Sequence, residues 1–407
     1  MINDMEHHRG LNITINTTED CNMRCKYCYE INKCSRSINF DKCKKFIDLV
    51  ISDENYLALE EGDNGEKEWE RGLIIDFIGG DALMNVDICD KTLTYLVYKL
   101  NTNNSKHAKQ WRSTWRCSIS SNGTLLDKPE VRKFLEKWEK NISLGISIDG
   151  CPTIHDKNRI MAYRGPNGEE IGSMDIILKN WDWYKKHFPI NSLNTKATCS
   201  KDTIPYLYES LVFMHETLGL KYIGQNFIME DTGCTEEDYE MLREQMQKCI
   251  DYVYEHRDEL YWSMIDKHWC CENYEHNKKD KDYLNNGVCG SGMMPALSID
   301  GDIYPCFRWL PHTQKRAKVM CVGNVEEGFT HSENFKCVRD GAARCNCTRD
   351  PKCKDCEFEE ACAYCIGGCY AEYDDFIRTT HVCEITKIQV EYARKYWARL
   401  GEYPSKK

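Results

Sequence analysis

The stretch LNITINTTEDCNMRCKYCYE, residues 11–30, decides the fold of this 407-residue chain. Its first half alternates apolar and polar residues, as a half-buried β-strand does, and it runs directly into Cys21, Cys25 and Cys28. Three thiols at this spacing can converge on one side of a loop, one short of the four thiolates that usually hold a [4Fe–4S] cluster. The open iron of such a cluster can bind an amine and a carboxylate. A redox thiol pair and a structural zinc loop are the alternatives, and the third cysteine argues against both.

Strand-like and helical segments alternate six times between residues 11 and 230. Such alternation predicts parallel strands, and eight β/α units would close a full barrel. We therefore predict an α/β protein with a partial (β/α)6 TIM barrel that is open on one side. The opening leaves room for a large substrate. A long polar-faced helix over residues 231–260 is expected to close this domain.

The charge and hydropathy of the chain exclude several classes of partner. A formal net charge of −11 and a pI near 5.6 argue against nucleic acid as the main partner. No stretch has the apolar length of a membrane span, and the start, MINDMEHHRGLN, lacks the apolar core of a signal peptide. We expect a cytoplasmic protein with neither a nucleic-acid nor a membrane partner.

Cysteines divide the chain into domains. Twelve of the 25 lie between Cys289 and Cys383, and metal ligation explains this density better than disulfides, which belong to short secreted chains. We predict a barrel domain over 1–257, a linker over 258–288, a cysteine-rich domain over 289–385, called the extension below, and a C-terminal helix over 386–407. Isolated cysteines are expected to be small buried apolar residues. These are Cys89, Cys117, Cys199 and Cys249.

The residue 21–28 segment, called the cysteine loop below, resembles the C-x3-C-x-aromatic-C signature of radical S-adenosylmethionine enzymes, with Tyr27 as the aromatic residue. In that family the three cysteines hold a [4Fe–4S] cluster whose open iron binds S-adenosylmethionine. One-electron reduction cleaves this cofactor to methionine and a 5′-deoxyadenosyl radical, which takes a hydrogen atom from the substrate. The resemblance implies Cys21, Cys25 and Cys28 as ligands, and a one-electron donor such as flavodoxin or ferredoxin as a partner.

Polar residues and glycines at later strand ends also resemble the family's cofactor site. Gly79, Gly80 and Asp81 take the place of a Gly-Gly-Glu motif that holds the methionine amine, although an ordinary glycine turn would look the same. Arg159 could bind a carboxylate, and the alternative is a surface ion pair with Asp149. The full set of predicted cofactor contacts is Tyr27, Gly79, Gly80, Asp81, Asn122, Ser147, Asp149 and Arg159.

The extension begins with a predicted β-hairpin that turns at Asp300-Gly301-Asp302, followed by closely spaced cysteines. By spacing alone, two zinc sites are possible. The arrangement resembles the SPASM extension of peptide-modifying radical enzymes, which usually carries two auxiliary [4Fe–4S] clusters, and this implies three clusters in all. The implied ligands are Cys289, Cys306 and Cys365 or Cys369 for the first auxiliary cluster, and Cys353, Cys356, Cys362 and Cys383 for the second. Four further cysteines, Cys321, Cys337, Cys345 and Cys347, could complete the first set or be structural.

The segment CEFEEACAYC, residues 356–365, resembles maturases of peptides with repeated Cys-x-x-x units. We therefore predict a ribosomal-peptide maturase that forms intramolecular thioethers from cysteine sulfur to an acceptor carbon, for example in Asp or Glu, of a precursor peptide with a leader. A carbon–carbon crosslinking maturase is one alternative. An anaerobic sulfatase-maturating enzyme is another, with Asp300 or Asp302 as its carboxylate base. A non-enzymatic iron–sulfur or zinc protein is the third.

Overall fold

A computed structural model describes residues 11–52, 72–188, 195–270, 291–292, 294–346, 353, 356–358, 361–362 and 364–402. The six predicted strands are present: β1 (Leu11–Thr18), β2 (Leu73–Gly79), β3 (Trp115–Ser121), β4 (Ile142–Ile146), β5 (Lys196–Cys199) and β6 (Tyr222–Phe227). The helices that accompany them are α1 (Phe40–Ser52), α2 (Val86–Thr102), α3 (Lys106–Trp111), α4 (Pro129–Trp138), α5 (Pro152–Asn158), α6 (Ser173–Lys179), α7 (Trp181–His187) and α8 (Leu207–Val212).

The first four strands form a continuous parallel sheet in the order β1-β2-β3-β4. Alternate residues of β2 are buried, with Leu73, Ile75 and Phe77 almost fully enclosed, which is the period-2 pattern of a strand with one face on the core. The isolated cysteines of the barrel behave as predicted, since Cys89, Cys117, Cys199 and Cys249 are all fully buried. The α/β partial-barrel fold class predicted from the sequence is confirmed.

Strands β5 and β6 form a second parallel sheet with β7 (Tyr261–Trp262), which follows the long helix α9 (Glu236–Glu255). The backbone N–H of Thr198 in β5 donates to the carboxylate of Asp149, just after β4, and this bond bridges the two sheets. The structure thus places strand β7 inside the segment 258–288 that was predicted as a linker. Residues 271–288 of that segment lie outside the described residues.

The extension continues the barrel sheet on the other edge of β1. Its strand β8 (Ala296–Leu297) runs parallel to β1 and pairs antiparallel with β9 (Asp302–Tyr304), which pairs with β10 (Gly323–Asn324). Gly301 occupies the hairpin turn with φ +94°, a conformation that favours glycine. The helices of this part are α10 (Glu333–Asn346), α11 (Ile366–Tyr373) and α12 (Cys383–Arg399).

Helix α12 packs on the barrel rather than standing apart, and it begins three residues earlier than predicted. Arg243 of α9 makes ion pairs with Glu384 at 3.1 Å and Glu391 at 2.7 Å. The amide of Gln389 donates to the carbonyl of Met264 at 3.1 Å. Among the described residues, no helix is both long and apolar enough to cross a bilayer.

Candidate active site at the cysteine loop

The cysteine loop leaves the C-terminal end of β1 and pairs with the segment 158–162. The backbone N–H of Arg24 donates to Ile160 O at 2.7 Å, and that of Ala162 donates to Asn22 O at 2.8 Å. Cys21 is buried, whereas Cys25 and Cys28 are half-buried. The structure therefore places the three predicted ligands on one short, well-anchored loop.

Two glycines let the end of β2 lie directly against this loop. The N–H of Gly80 donates to Thr18 O and that of Asp81 donates to Asp20 O, both at 3.0 Å. A Cβ atom on Gly80 would lie 2.0 Å from Asp20 O. Gly79, with φ +130°, leaves as little space. The glycine turn predicted from the sequence is thus a close backbone approach between β2 and the cysteine loop.

Asp81 has a different environment from the one expected of an ammonium acceptor. Its buried carboxylate accepts hydrogen bonds from Leu83 N at 3.0 Å, Asn122 N at 2.8 Å and the Ser121 hydroxyl at 2.9 Å. Burial raises the pKa of this carboxyl, and the hydrogen bonds act in the opposite direction. Asp81 therefore links the ends of β2 and β3 in this structure, and its oxygens already have donors from the chain itself.

Asn122 connects the end of β3 to the cysteine loop. Its side-chain amide donates to Asn22 Oδ1 at 2.8 Å and lies 4.0 Å from Cys21 Sγ. Ser147, the predicted contact after β4, is half-buried, and its backbone N–H donates to Ser121 O at 2.9 Å. The β3 and β4 ends thus converge beside Cys21, as parallel strands of one barrel require.

Tyr27, Asp149 and Arg159 form a buried cluster beside Cys25. The Tyr27 hydroxyl donates to the Asp149 carboxylate, and Arg159 Nε lies 3.1 Å from Asp149 Oδ1. The guanidinium of Arg159 also stands 5.5 Å from the centre of the Tyr27 ring. Burial, above all, raises the pKa of Tyr27, so the phenol stays protonated and donates. The Asp149–Arg159 pair is therefore an interior pair, and the surface ion pair considered from the sequence is not present.

Two cations face the thiols of the cysteine loop. Burial raises the pKa of Cys21 to about 11, and Lys33 opposes this shift. Burial likewise raises the pKa of Cys25, with Arg159 and Lys33 opposing it. Burial lowers the pKa of Lys33, and the charges of Cys21 and Cys28 act in the opposite direction. Three thiols with two neighbouring cations suit a group that takes thiolates, and so the residues present fit a [4Fe–4S] cluster. Lys33 was not predicted as a cation of this site, although a lysine five residues after Cys28 is close enough in sequence to suggest it.

Four thiols of the extension come together around the start of α12. Burial raises the pKa of Cys383 to about 11, and the charges of Cys362, Cys353 and Cys356 raise it further. Arg378 donates to Cys362 O at 2.8 Å and lowers the pKa of Cys383. Three members of the set predicted for the second auxiliary cluster thus lie close enough to the fourth, Cys383, for their charges to interact with it.

A second apolar core, which contains Trp309, holds described thiols of the set predicted for the first auxiliary cluster. Cys306 and Cys369 are both buried in it, and Cys365 caps α11 by accepting from Gly368 N at 3.4 Å. Cys321 and Cys337 pack against the same core. Cys289, Cys347 and the side chain of Cys345 lie outside the described residues. Cys365 and Cys369 lie close enough to each other to interact electrostatically.

A cavity of about 560 Å³ separates the cysteine loop from the extension. The lining includes Tyr27 and Cys28 of the loop, the adjoining Tyr29, and Arg308 and Gly368 of the extension. The ends of β5 and β6 supply a third wall. The lining from those strand ends is Ser200, Lys201, Asp202, Ile228, Glu230, Asp231 and Thr232.

Arg308 is the most buried cation of this cavity. Its guanidinium lies 4.5 Å from the centre of the Tyr29 ring and makes an ion pair with Glu230 at 2.7 Å. Among the described residues, its buried Nε has no hydrogen-bond partner. Arg308 of the extension therefore contacts Tyr29, next to the cysteine loop, and Glu230, three residues after β6.

A second link between loop and extension was also missed from the sequence. His312 of the extension is buried between Glu19 and Glu30, with 3.7 Å from Nδ1 to the first carboxylate and 3.7 Å from Nε2 to the second. Asn16 of β1 lies 3.3 Å from Nδ1. Residues this far apart in sequence give no local pattern, so only the fold reveals them.

The fold and site together define a class of protein: a partial parallel barrel with a three-cysteine loop after its first strand, extended by a cysteine-rich domain that faces the loop. No family model matches the chain. An uncharacterized protein of Methanocaldococcus jannaschii is 26% identical over 214 residues, which are 53% of this chain and 60% of that protein. The match thus spans less than two thirds of that relative.

Three further matches cover most of this chain. A cysteine-type anaerobic sulfatase-maturating enzyme of Clostridium novyi is 23% identical over 357 residues, 85% of this chain and 84% of that enzyme. Among solved structures, native anSMEcpe with bound AdoMet aligns with a TM-score of 0.66 at 16% identity, over 96% of this chain and 98% of that one. Streptococcus suis SuiB bound to its precursor peptide SuiA aligns with a TM-score of 0.57 at 17% identity, over 91% and 75%. These structural likenesses establish the shared fold.

Proposed function

We propose that this chain is a radical S-adenosylmethionine enzyme that modifies a peptide inside the cavity between the cysteine loop and the extension. The observation that carries this proposal is the lining of the cavity, in which Cys28 and the Arg308–Gly368 wall face one shared space. Structural neighbours that bind AdoMet, a Kp18Cys peptide or a precursor peptide support it.

When bound, the cluster and S-adenosylmethionine supply a 5′-deoxyadenosyl radical that takes a hydrogen atom from the substrate. The chain's own residues prepare this space. Cys21, Cys25 and Cys28 offer the thiolates, and Lys33 and Arg159 offset their negative charge. The Tyr27–Asp149–Arg159 cluster holds the wall beside Cys25 in place. The proton of the Tyr27–Asp149 hydrogen bond stays on the Tyr27 oxygen.

For the reaction we propose a thioether link between a cysteine sulfur and an acceptor carbon of the same peptide. A C–H and an S–H bond break and a C–S bond forms. The hydrogen atom goes to the adenosyl radical, the thiol proton goes to solvent, and one electron passes to an acceptor. Iron–sulfur groups bound by the extension's thiols would accept this electron. Arg308, the most buried cation of the cavity lining, suits an acidic acceptor residue, because guanidinium and carboxylate are complementary.

Oxidation of a peptidyl cysteine, as in sulfatase maturation, is the second candidate. The Clostridium novyi relative favours it, because the match covers more than four fifths of both chains. Asp300 and Asp302, the bases expected from the sequence, lie at the hairpin turn instead, where Asp300 pairs with Arg36 and Asp302 binds Asn324. Neither lines the cavity, so a base would come from a lining carboxylate. These carboxylates are Asp202, Glu230, Asp231 and Glu372.

The test is anaerobic incubation of the reconstituted, reduced protein with S-adenosylmethionine and cysteine-containing peptides. We expect 5′-deoxyadenosine and a peptide that has lost two hydrogens while keeping its sulfur. Exchange of the sulfur for oxygen would instead support sulfatase maturation. If no 5′-deoxyadenosine forms, both candidates are overturned. An iron content of about four per chain, rather than about twelve, would contradict the auxiliary clusters.

Gly80→Ala is expected to lower S-adenosylmethionine cleavage about 100-fold, because the new methyl must displace the backbone at Asp20, and a shift of about 1 Å near reacting atoms can cost this much. The measurement is 5′-deoxyadenosine release at saturating cofactor. Gly219→Ala is the control: its φ is +71°, but the added methyl meets open space, so only about 1 kcal/mol of backbone strain is expected. Equal loss in both variants would show that the close approach at Gly80 is unimportant.

Arg308→Ala is expected to raise the KM for an acidic peptide about 10-fold or more, because hydrogen bonds to charged groups contribute about 1.5–3 kcal/mol. Peptide-independent cofactor cleavage should change little. Lys315→Ala provides the comparison, since Lys315 also lines the cavity but is exposed. Surface charges contribute about 0–1 kcal/mol, so its KM should stay within a few fold. If both variants bind the peptide as the wild type does, Arg308 does not recognise it.

A further inference from the structure

A group of metal-ligand side chains lies on the outer helical layer, apart from the cysteines. His215 sits in a π-helical turn, Phe213–Thr217, directly after α8, and His256 caps the C-terminal end of α9. Glu259 follows in the next turn, where its N–H donates to His256 O at 3.0 Å. One ligand atom from each of the three side chains lies within 4.8 Å of the others. None of them lines the cavity described above.

Hydrogen bonds fix the tautomer of His215. The Tyr252 hydroxyl donates to Glu216 Oε1 at 3.1 Å, so the Tyr252 oxygen accepts from His215 Nδ1 at 2.7 Å. The proton of the neutral ring is therefore on Nδ1, and Nε2 presents a lone pair. An outer partner that holds one imidazole nitrogen in this way is typical of metal-binding histidines.

The lone pair of His215 Nε2 faces a carboxylate. Glu259 Oε1 lies 3.9 Å from Nε2 and 3.2 Å from His256 Nδ1. Nε2 and this carboxylate oxygen are too far apart to hydrogen-bond each other, whereas His256 Nδ1 lies within hydrogen-bonding distance of the same oxygen. A single cation placed between the three side chains would contact one ligand atom of each.

We propose that His215 Nε2, His256 Nδ1 and Glu259 bind a divalent transition-metal ion of the zinc type, with water completing the coordination. Two imidazoles and one carboxylate are ligands that Zn²⁺ prefers, and three protein ligands leave room for the water. The ion would clamp the turn after α8 to the end of α9. This site is independent of the proposed peptide chemistry, so S-adenosylmethionine cleavage is expected to persist without it.

The test uses the full chain with its iron–sulfur sites filled beforehand, so that cysteines do not take up added metal. Zinc chloride is titrated against a competing chelator, and bound zinc is counted per chain. We expect one zinc per chain, with X-ray absorption showing nitrogen and oxygen scatterers at about 2.0 Å rather than sulfur at about 2.3 Å. Sulfur scattering alone would overturn the proposal.

Substitutions of the proposed zinc-binding residues provide a second test. His215→Gln should weaken zinc binding at least about 100-fold, because the loss of an outer partner alone costs 10- to 100-fold, and Tyr252→Phe should weaken it about 10-fold. His187→Gln is the matched control, since His187 also lies near two glutamates, Glu136 and Glu139, but lacks a second histidine. If His215→Gln does not fold, the exposed Glu259→Gln is used in its place. Unchanged zinc affinity in a folded ligand variant would overturn the proposal.

Discussion

Cys28→Ala is expected to abolish S-adenosylmethionine cleavage. Cys28 is one of three thiols on the cysteine loop and lines the cavity, with Lys33 as a neighbouring cation. Without it, only two thiolates remain for the proposed cluster, which has three protein ligands in the complete loop. The loss should exceed the roughly 10- to 100-fold effect of removing an outer partner of a metal site. The measurements are 5′-deoxyadenosine release under reducing conditions and iron content per chain.

Cys34→Ala serves as the control for this variant. Cys34 is a half-buried thiol of the same region that donates to Glu19 Oε2 at 2.9 Å, and it lies outside the C-x3-C-x2-C spacing. Cleavage and iron content should stay close to those of the wild type. Cleavage that survives Cys28→Ala would remove the cysteine loop as the radical source.

Cys306→Ala is expected to separate cofactor cleavage from product formation. Cys306 lies in the apolar core of the extension, where Ser291 donates to its sulfur at 3.4 Å, and the cysteine loop is untouched by the change. We expect cleavage to fall less than about 10-fold and modified peptide to fall at least about 100-fold, which is the signature of an interaction needed after the radical forms. Peptide mass and 5′-deoxyadenosine are measured in the same reaction.

Cys89→Ala controls for the loss of a buried thiol. Cys89 is fully buried in the barrel and belongs to no predicted ligand set, so both products should form at nearly the wild-type ratio. Unchanged modified peptide in Cys306→Ala would contradict an essential first auxiliary cluster.

Patterns that are local in sequence predicted most of the barrel. Alternate residues of β2 bury one face, as the two-residue period of a strand requires. In β1, expected from the sequence to be half-buried, residues 13–18 are instead buried on both faces. The order of strands and helices then implies a parallel sheet, because each helix returns the chain to the same edge. The cysteine loop was equally visible, since its three thiols lie within eight residues.

Features that depend on residues far apart in the chain were not predicted from the sequence. Strand β8 is two residues long, too short for any period, yet it extends the sheet beside β1. Asp81 looked like a ligand-binding carboxylate because its position follows a glycine pair, whereas the convergence of β2 and β3 gives it donors from Ser121 and Asn122. The residues next to Asp81 in the sequence do not indicate which distant backbone amide will donate a hydrogen bond to its carboxylate.

Local patterns in the chain were enough to predict the fold class, the three-cysteine loop and the cysteine-rich extension, because hydrophobic periodicity and ligand spacing act over a few residues. The surroundings of these features became visible only in the folded chain: Lys33 and Arg159 beside the thiols, Arg308 between Tyr29 and Glu230, and the His215–His256–Glu259 group on the outer layer. Charges and ligands of this kind meet only when distant segments pack, since packing is set by the whole core rather than by neighbours in the chain.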